Sequence, residues 1–189
     1  QAYVGIGYWV EDTRDGDYFN LDEMERAKEA FSDEIAYIDS NAYTTADAEY
    51  KRTAIKFEFQ GIDYNYKDVQ PVNMVYGRYL NEGDVLGRKK NVVMDTNSAK
   101  LLFGTENAVG KTFRTTIYGN TDDYTVVGVY HKEMNAFQAL MMGGSGDKGA
   151  AFIPYTLLTW PNDRFYMLHV FAKENVDLDL FFQEFKAYT

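Results

Sequence analysis

The sequence contains no cysteine among its 189 residues. That absence excludes a disulfide scaffold, thiolate ligands for a metal ion and a thiol nucleophile. It leaves the cellular compartment open, because exported domains without cysteine are common.

Histidine is also scarce, since only His131 and His169 occur. Both lie in predicted strands far apart in the chain, so a zinc site would need carboxylates to complete it. A serine hydrolase would have to use one of the two as its base, and no G-x-S-x-G motif occurs in a strand–turn–helix context. The sequence therefore gives little support to catalysis, and we expect no catalytic residue, no metal and no cofactor.

No hydrophobic run approaches the roughly 18 apolar residues that a membrane-spanning helix requires. The chain begins at Gln1, without a charged-then-apolar signal segment. We therefore expect an excised piece or a mature form, with any membrane anchor outside the sequence.

Negative charge and aromatic side chains are abundant. The formal net charge is −10, and aromatic residues make up 16% of the chain, with 16 tyrosines and 13 phenylalanines. An acidic surface repels nucleic acid and anionic lipid headgroups, which argues against both as direct partners. Tyrosine and phenylalanine favour half-buried pleated surfaces, so the composition favours β structure.

The helical patterns lie at the two ends of the chain. Near the start, two strands flank a helix over residues 21–31, and Asn20 and Glu23 have the spacing of a capping box at its beginning. Near the end, a strand over residues 164–173 precedes an amphipathic helix. The apolar face of that helix carries Leu178, Phe181, Phe182 and Phe185.

The middle of the chain is mainly β. A two-turn helix there has Thr96 as its predicted N-cap and Gly104 as its C-terminal stop. Alternating or buried apolar patterns predict strands over residues 47–60, 72–80, 91–95, 111–119, 123–133 and 150–154.

This order of elements predicts an α+β fold with two lobes. Residues 1–71 and 156–189 would form a discontinuous α+β lobe from both ends of the chain. Residues 72–155 would form an inserted, mainly β lobe. We find no internal repeat and no extended linker.

The stretch "LLFGTENAVGKTF", residues 101–113, ends in Gly-Lys-Thr and resembles a phosphate-binding loop at first sight. That loop requires four residues between its glycines, a preceding strand and a following helix. Here five residues separate Gly104 from Gly110, a helix precedes them and a strand follows. Without a following helix there is no N-terminal row of free amides to hold a phosphate. We therefore predict a helix stop followed by a turn into a strand.

Two other segments are candidate binding sites. The acidic stretch over residues 11–22 departs from a calcium loop at its first, third and last ligand positions, so we expect a solvated turn. Residues 135–149 are apolar at first and then rich in glycine. They could contact a partner or form a short helix that packs on the core, and the candidate contact residues are Phe137, Leu140, Met141 and Met142.

Five motifs then follow one another in order over about residues 72–155: "VYGRYLNEGD", "VVMDTNSAKLLFG", "AVGKTF", "YTVVGVY" and "AFIPY". Together they resemble the extracytoplasmic core domain of MacB-type ABC transporter permeases, the macrolide-exporter and FtsX-like group. Over residues 1–71 and 156–189 the resemblance rests on the order of elements and on the pattern "LDEMERAKEAF…EIAYI".

The resemblance implies a porter-like α+β lobe near the membrane and an inserted β lobe. It implies a non-catalytic domain on the extracytoplasmic face of a bacterial cell membrane that takes part in transport or transmits conformational change. The implied partners are flanking transmembrane helices of the same permease, a cytoplasmic ATP-binding subunit or domain, and a second permease copy. The short, glycine-rich stretch over residues 143–149 departs from longer members of the group and puts contact with an outer partner there in doubt.

Two alternatives stay open at this point. The first is a freestanding secreted or surface module that binds a carbohydrate or peptide along its aromatic residues. The second is a hydrolase that uses a pair of carboxylates.

Overall fold

The computed structural model describes residues 3–7, 19–40, 42–132, 148–159, 164–165 and 167–188. The chain divides into two compact units. Unit 1 comprises Gln1–Ala42, Asn65–Pro71 and Thr159–Thr189, and unit 2 comprises Tyr43–Tyr64 and Val72–Leu158.

The described elements combine helices with sheets, which confirms the α+β class. The helices are α1 Leu21–Ala30, α2 Tyr66–Val69, α3 Glu82–Val85, α4 Thr96–Phe103 and α5 Leu178–Tyr188, and a 3₁₀ turn covers Tyr155–Leu157. The strands are β1 Tyr3–Gly7, β2 Phe19–Asn20, β3 Ile35–Asp39, β4 Tyr43–Tyr50, β5 Thr53–Ile62, β6 Asn73–Gly77, β7 Asn91–Asp95, β8 Thr112–Ile117, β9 Asn120–His131, β10 Lys148–Pro154, β11 Arg164–Phe165 and β12 Met167–Ala172.

The described part of unit 1 contains a three-stranded antiparallel sheet in the order β1–β12–β3 and the separate antiparallel pair β2–β11. An aromatic cluster joins α5 to Phe31, the C-cap residue of α1, whose ring lies 5.7 Å from Phe181 and 5.3 Å from Phe185. Phe181 and Phe185 are buried, whereas Phe182 is 39% exposed. The predicted apolar face of α5 is therefore confirmed only in its centre.

The predicted capping box at the start of α1 is confirmed. The Asn20 side chain accepts a hydrogen bond from the Glu23 amide, and the Glu23 carboxylate accepts one from the Asn20 amide, both at 2.9 Å. These two bonds satisfy amides that the first helical turn leaves without partners.

Unit 2 contains a seven-stranded sheet in the order β6–β9–β7–β10–β5–β4–β8, and β8 also pairs with β9. Because β8 and β9 are neighbours, six of these strands close into a ring, with β6 attached to the far half of β9. Closing a sheet removes the unpaired edges that an open sheet exposes.

The interior of this ring is filled by aromatic side chains. Their ring centroids lie 5.7–6.4 Å apart, and most of the pairs are stacked. The residues are Phe57, Phe59, Phe113 and Tyr124, all at most 4% exposed. The helix α4 contacts β4, β5, β7, β9 and β10, so it lies across one end of the ring.

The prediction of one long strand over residues 47–60 is wrong. The chain forms the hairpin β4–β5, whose two-residue turn is Lys51–Arg52. Lys51 adopts a left-handed backbone with φ of 55°, which a non-glycine residue rarely does, so no turn residue marks the hairpin in the sequence.

The predicted lobes and the two units differ in two stretches. The sequence-based boundary assigns residues 43–64 and 156–158 to the first lobe, whereas they belong to unit 2. For the longer stretch the reason is strand pairing, because β4 pairs with β8 and β5 pairs with β10. Residues 65–71 then return to unit 1 before the chain enters β6.

Candidate functional site

The most elaborate polar cluster in the described residues lies in the segment that follows β6. The carboxylate of Asp84 is fully buried and accepts four hydrogen bonds. Arg78 donates two, from Nη1 to Oδ2 at 2.5 Å and from Nη2 to Oδ1 at 3.2 Å. The Asn81 amide donates to Oδ2 at 3.1 Å, and Asn91 Nδ2 donates to Oδ1 at 2.8 Å.

The charge of Asp84 is stabilised by these donors. Burial alone would raise the pKa of this carboxyl, but the hydrogen bonds from Arg78, Asn81 and Asn91 outweigh it and hold the pKa below its usual value. Asp84 is therefore an ionised, saturated acceptor. A carboxylate with both oxygens occupied has no free acceptor for a substrate proton, so this cluster is built to hold the chain and not to react.

Two glycines place Arg78 where it can reach Asp84. Gly77 has φ of +69°, and a Cβ atom there would lie 2.2 Å from the carbonyl oxygen of Val127. A Cβ atom on Gly128 would lie 2.1 Å from the carbonyl oxygen of Arg78. Both contacts are with backbone, so any side chain at either position would push β6 away from β9.

The segment after Arg78 is also fixed at its other end. Thr156 Oγ1 donates a hydrogen bond to the carbonyl oxygen of Val85 at 2.6 Å. The ring of Tyr79 lies 6.5 Å from that of Phe152, which stacks on Tyr130 at 5.2 Å. The motif "VYGRYLNEGD", residues 75–84, thus supplies the first part of a strap, residues 78–90, that is held against β9 and β10 of unit 2.

The motif around α4 is a second structural arrangement. Asp95, and not Thr96 as predicted, is the N-cap, because its Oδ1 accepts the Ser98 amide at 2.8 Å. Ser98 Oγ donates to Asp95 Oδ2 at 2.8 Å and accepts the Ala150 amide at 2.8 Å, which ties α4 to β10. An aspartate that ends a buried strand is a better N-cap than the threonine after it, because its carboxylate also meets the helix dipole.

The Gly-Lys-Thr stretch forms the predicted helix stop and turn into a strand. Gly104 ends α4 in the left-handed conformation, and β8 begins at Thr112. The Gly110 amide donates to the carbonyl oxygen of Val126 at 2.8 Å, and the Lys111 amide donates to that of Ala108 at 2.9 Å. These amides are used within the fold and cannot cradle a phosphate.

Some of the remaining candidate residues predicted from the sequence lie outside the described residues, and others lie within them. The predicted contact residues Phe137, Leu140, Met141 and Met142 lie outside the described residues and stay predictions, as does most of the acidic stretch over residues 11–22. Both histidines lie in strands as predicted, His131 at the exposed end of β9 and His169 in β12. Among the described ranges no group of three or more metal-ligating side chains occurs.

Sequence reasoning missed the Arg78–Asp84 pair although both residues stand in a quoted motif. A signal was present, because Asn81 and Asp84 have the three-residue spacing of a capping box. The pairing of Arg78 with Asp84 depends on the turn at Gly77 and cannot be read from spacing.

The fold is similar to those of two solved outer domains of ABC-type transporters. The structure resembles the extracellular domain of the noncanonic ABC-type transporter YknZ from Gram-positive bacteria, with a TM-score of 0.67 and 17% identity over 99% of this chain and 88% of that one. It resembles the periplasmic region of MacB from Actinobacillus actinomycetemcomitans equally well, with a TM-score of 0.67 and 18% identity over 98% of this chain and 80% of that one.

The chain belongs to the family of MacB-like periplasmic core domains, whose model matches residues 2–188. A curated relative, the macrolide export ATP-binding/permease protein MacB of Bordetella avium (strain 197N), is 25% identical over 131 residues, which is 69% of this chain. The chain spans only 18% of that relative's length. In the part of the chain that the structure describes, no helix is both long and apolar enough to cross a membrane.

Proposed function

We propose that this chain is a non-catalytic extracytoplasmic domain of an ABC transporter permease, which couples ATP hydrolysis in the cytoplasm to export or mechanical transmission outside the membrane. The observation that carries the proposal is the family match over residues 2–188. The saturated carboxylate of Asp84 agrees with a structural use of the most elaborate polar cluster among the described residues.

In this proposal, unit 1 is the porter-like lobe near the membrane, and unit 2 is the inserted β lobe. The chain would lie on the extracytoplasmic face of a bacterial cell membrane, between transmembrane helices of the same permease. Its further partners would be a cytoplasmic ATP-binding subunit or domain and a second copy of the permease. A partner contact at Phe137, Leu140, Met141 and Met142 is part of the same proposal.

The decisive experiment uses the full-length permease with its ATP-binding part in proteoliposomes. We expect replacement of residues 2–188 by a short glycine–serine linker to leave basal ATP hydrolysis measurable and to abolish export. A macrolide is the first substrate to test, because the relative is named for macrolide export. Full export by the linker variant, or a full-length gene without transmembrane helices beside this segment, would contradict the proposal.

A second experiment tests the isolated chain against its nucleotide-like motif. Calorimetric titration with ATP and Mg²⁺ should give no binding heat, because the amides around Lys111 are bonded to the chain itself. ATP binding that disappears in Lys111→Ala would show that the nucleotide is bound here and would overturn the assignment of this stretch.

A further inference from the structure

Residues 65–71 interrupt unit 2 and return to unit 1. The strand β5 ends at Ile62, unit 2 continues to Tyr64, unit 1 includes Asn65–Pro71, and unit 2 resumes at Val72. The chain therefore passes between the units at four places, of which two lie at the ends of this seven-residue segment. A simple insertion of one unit in the other would need only two crossings.

One side chain fixes this segment in unit 1. The ring of Tyr66 is 8% exposed and lies 5.4 Å from the ring of Tyr37 on β3. Tyr37 is itself 1% exposed and packs against Phe171 of β12 at 5.6 Å. Tyr66 is thus part of an aromatic cluster on two strands of the unit 1 sheet.

The helix that carries Tyr66 depends on this packing. A helix of four residues is far below the length at which a helix is stable in water. The Gln70 amide donates to the carbonyl oxygen of Tyr66 at 2.8 Å, and the Tyr66 hydroxyl donates to Gln70 Oε1 at 2.5 Å. The local bonds of α2 therefore centre on Tyr66, and its contact with β3 holds the segment in place.

We propose that residues 65–71 are a clamp that couples unit 2 to unit 1, with Tyr66 as its anchor. The clamp is covalently continuous with β5 and β6 on its two sides, so a displacement of either strand pulls on Tyr66 and through it on β3. Without the anchor, the segment becomes a flexible connection, and the two units unfold and move as separate cooperative bodies. Only the role of this coupling in transmitting movement within the transporter rests on the proposed function.

The clamp is tested by the cooperativity of thermal unfolding in the 189-residue chain. We expect one calorimetric transition for the parent chain and two for Tyr66→Ala, because the units no longer unfold together. Amides of α2 should exchange with deuterium about tenfold faster or more in that variant. Tyr66→Phe keeps the ring contact with Tyr37 and should keep one transition. Two transitions in the parent chain, or one in Tyr66→Ala, would overturn the clamp.

A matched control separates coupling from simple destabilisation of unit 1. Phe181 is a buried aromatic residue of α5, 2% exposed, whose ring lies 5.7 Å from Phe31, outside the clamp. Phe181→Ala should lower the unfolding temperature and keep a single transition, because the clamp is intact. A split transition in Phe181→Ala as well would show that any loss in unit 1 separates the units, which would also overturn the proposal.

Where Tyr66→Ala does not fold, a second variant gives the answer. Three glycines inserted between Tyr64 and Asn65, and three between Pro71 and Val72, lengthen both connections and leave Tyr66 packed on Tyr37. We expect two unfolding transitions, with the amides of α2 still protected from hydrogen exchange. A single unfolding transition would contradict the clamp proposal. In the full-length transporter, Tyr66→Ala should reduce export at retained ATP hydrolysis. Export that is lost with the whole domain and normal in Tyr66→Ala would reject the clamp and leave the proposed function intact.

Discussion

The two units solve the problem of an exposed sheet edge in opposite ways. In unit 2 six strands close into a ring, and the aromatic core lies inside it. In unit 1 the five described strands form a three-stranded sheet and a two-stranded sheet, and the aromatic core joins Phe31, at the C-terminal end of α1, to α5. When a core side chain is truncated, the strands of a closed ring cannot move in to fill the cavity, because each strand is hydrogen-bonded on both sides. A helix can shift and fill part of such a cavity.

The largest expected effect compares the two cores directly. We expect Phe59→Ala in the ring to lower the free energy of unfolding by about 4 kcal/mol, because the stack of four rings cannot close around the cavity. Phe185→Ala in α5 should cost about 3 kcal/mol, because α5 can move against α1. Both side chains are at most 1% exposed, so the burial lost is matched. Urea unfolding of the two variants and the parent chain measures the difference.

A conservative control and a contrary outcome complete this comparison. Phe59→Leu and Phe185→Leu retain apolar volume and should each cost less than the corresponding alanine. If Phe185→Ala lowered the free energy of unfolding as much as Phe59→Ala or more, the idea that sheet closure limits relaxation of the unit 2 core would be wrong.

The second effect concerns the strap of unit 2. Arg78→Ala removes two of the four hydrogen bonds to a fully buried carboxylate, and we expect a loss of about 2 kcal/mol in stability. Asp84 keeps the bonds from Asn81 and Asn91, which limits the loss. The control is Arg114→Ala, because Arg114 makes a similar two-bond contact with Asp123 on the solvent-exposed face of the β8–β9 pair. Loss of that pair should not be measurable by urea unfolding.

The effect of Arg78→Ala should depend on pH. The pKa of Asp84 is lower in the folded chain than its ordinary value of 3.8, so its contribution to stability is present above that value and is lost as the pH falls through the folded pKa. The stability gap between the parent chain and Arg78→Ala should therefore be constant near neutrality and shrink below about pH 4. A gap of the same size at pH 3 would show that Asp84 does not carry the effect.

The third effect is a gain in stability. Thr115 faces the inside of the ring, is 2% exposed, and its hydroxyl has no hydrogen-bond partner among the described residues. Thr115→Val replaces that hydroxyl by a methyl group of similar size and should raise the free energy of unfolding by about 1 kcal/mol. Thr116→Val is the control, because Thr116 is exposed and its hydroxyl lies 2.8 Å from that of Thr121. No gain in Thr115→Val would indicate a partner for the hydroxyl, such as an enclosed water.

Local signals predicted the parts of this fold that local chemistry determines. The capping box of α1 and the glycine that ends α4 are each formed by residues within four positions of one another. The strand β7 was also predicted, because most of its residues are apolar. In the structure four of its five residues are buried. The β4–β5 hairpin was missed because its turn uses Lys51 and Arg52, neither of which marks a turn.

Closure of the ring and the strap could not be predicted from the sequence. Closure depends on β8 pairing with both β4 and β9, and the pairing of β8 with β4 joins residues that lie more than 60 positions apart. The strap depends on close backbone contact at Gly77 and Gly128, which are about 50 positions apart. The alternation of apolar and polar residues predicts which face of a strand is buried but not which strand pairs with it. These long-range contacts therefore produce no pattern in the sequence.

The smallest effect contrasts the response of the two units to acid. Burial lowers the pKa of His169 on β12 of unit 1 below its ordinary value of 6.5, and the backbone partners of His169 are Asp39 on β3 and Gly5 on β1. The folded chain therefore takes up this proton less readily than the unfolded chain, so stability decreases as the pH falls below about 6.5 and levels off below the folded pKa. His169→Gln should make the loss of stability between pH 7 and pH 5 smaller, by a small amount because the ring is only partly buried. Thermal unfolding at the two pH values measures this, with His131→Gln as the control for removing a histidine. If His169→Gln left the loss of stability between pH 7 and pH 5 unchanged, other groups would cause the acid response of unit 1. The contrast with Asp84 of unit 2, whose effect appears at lower pH, would then not depend on His169.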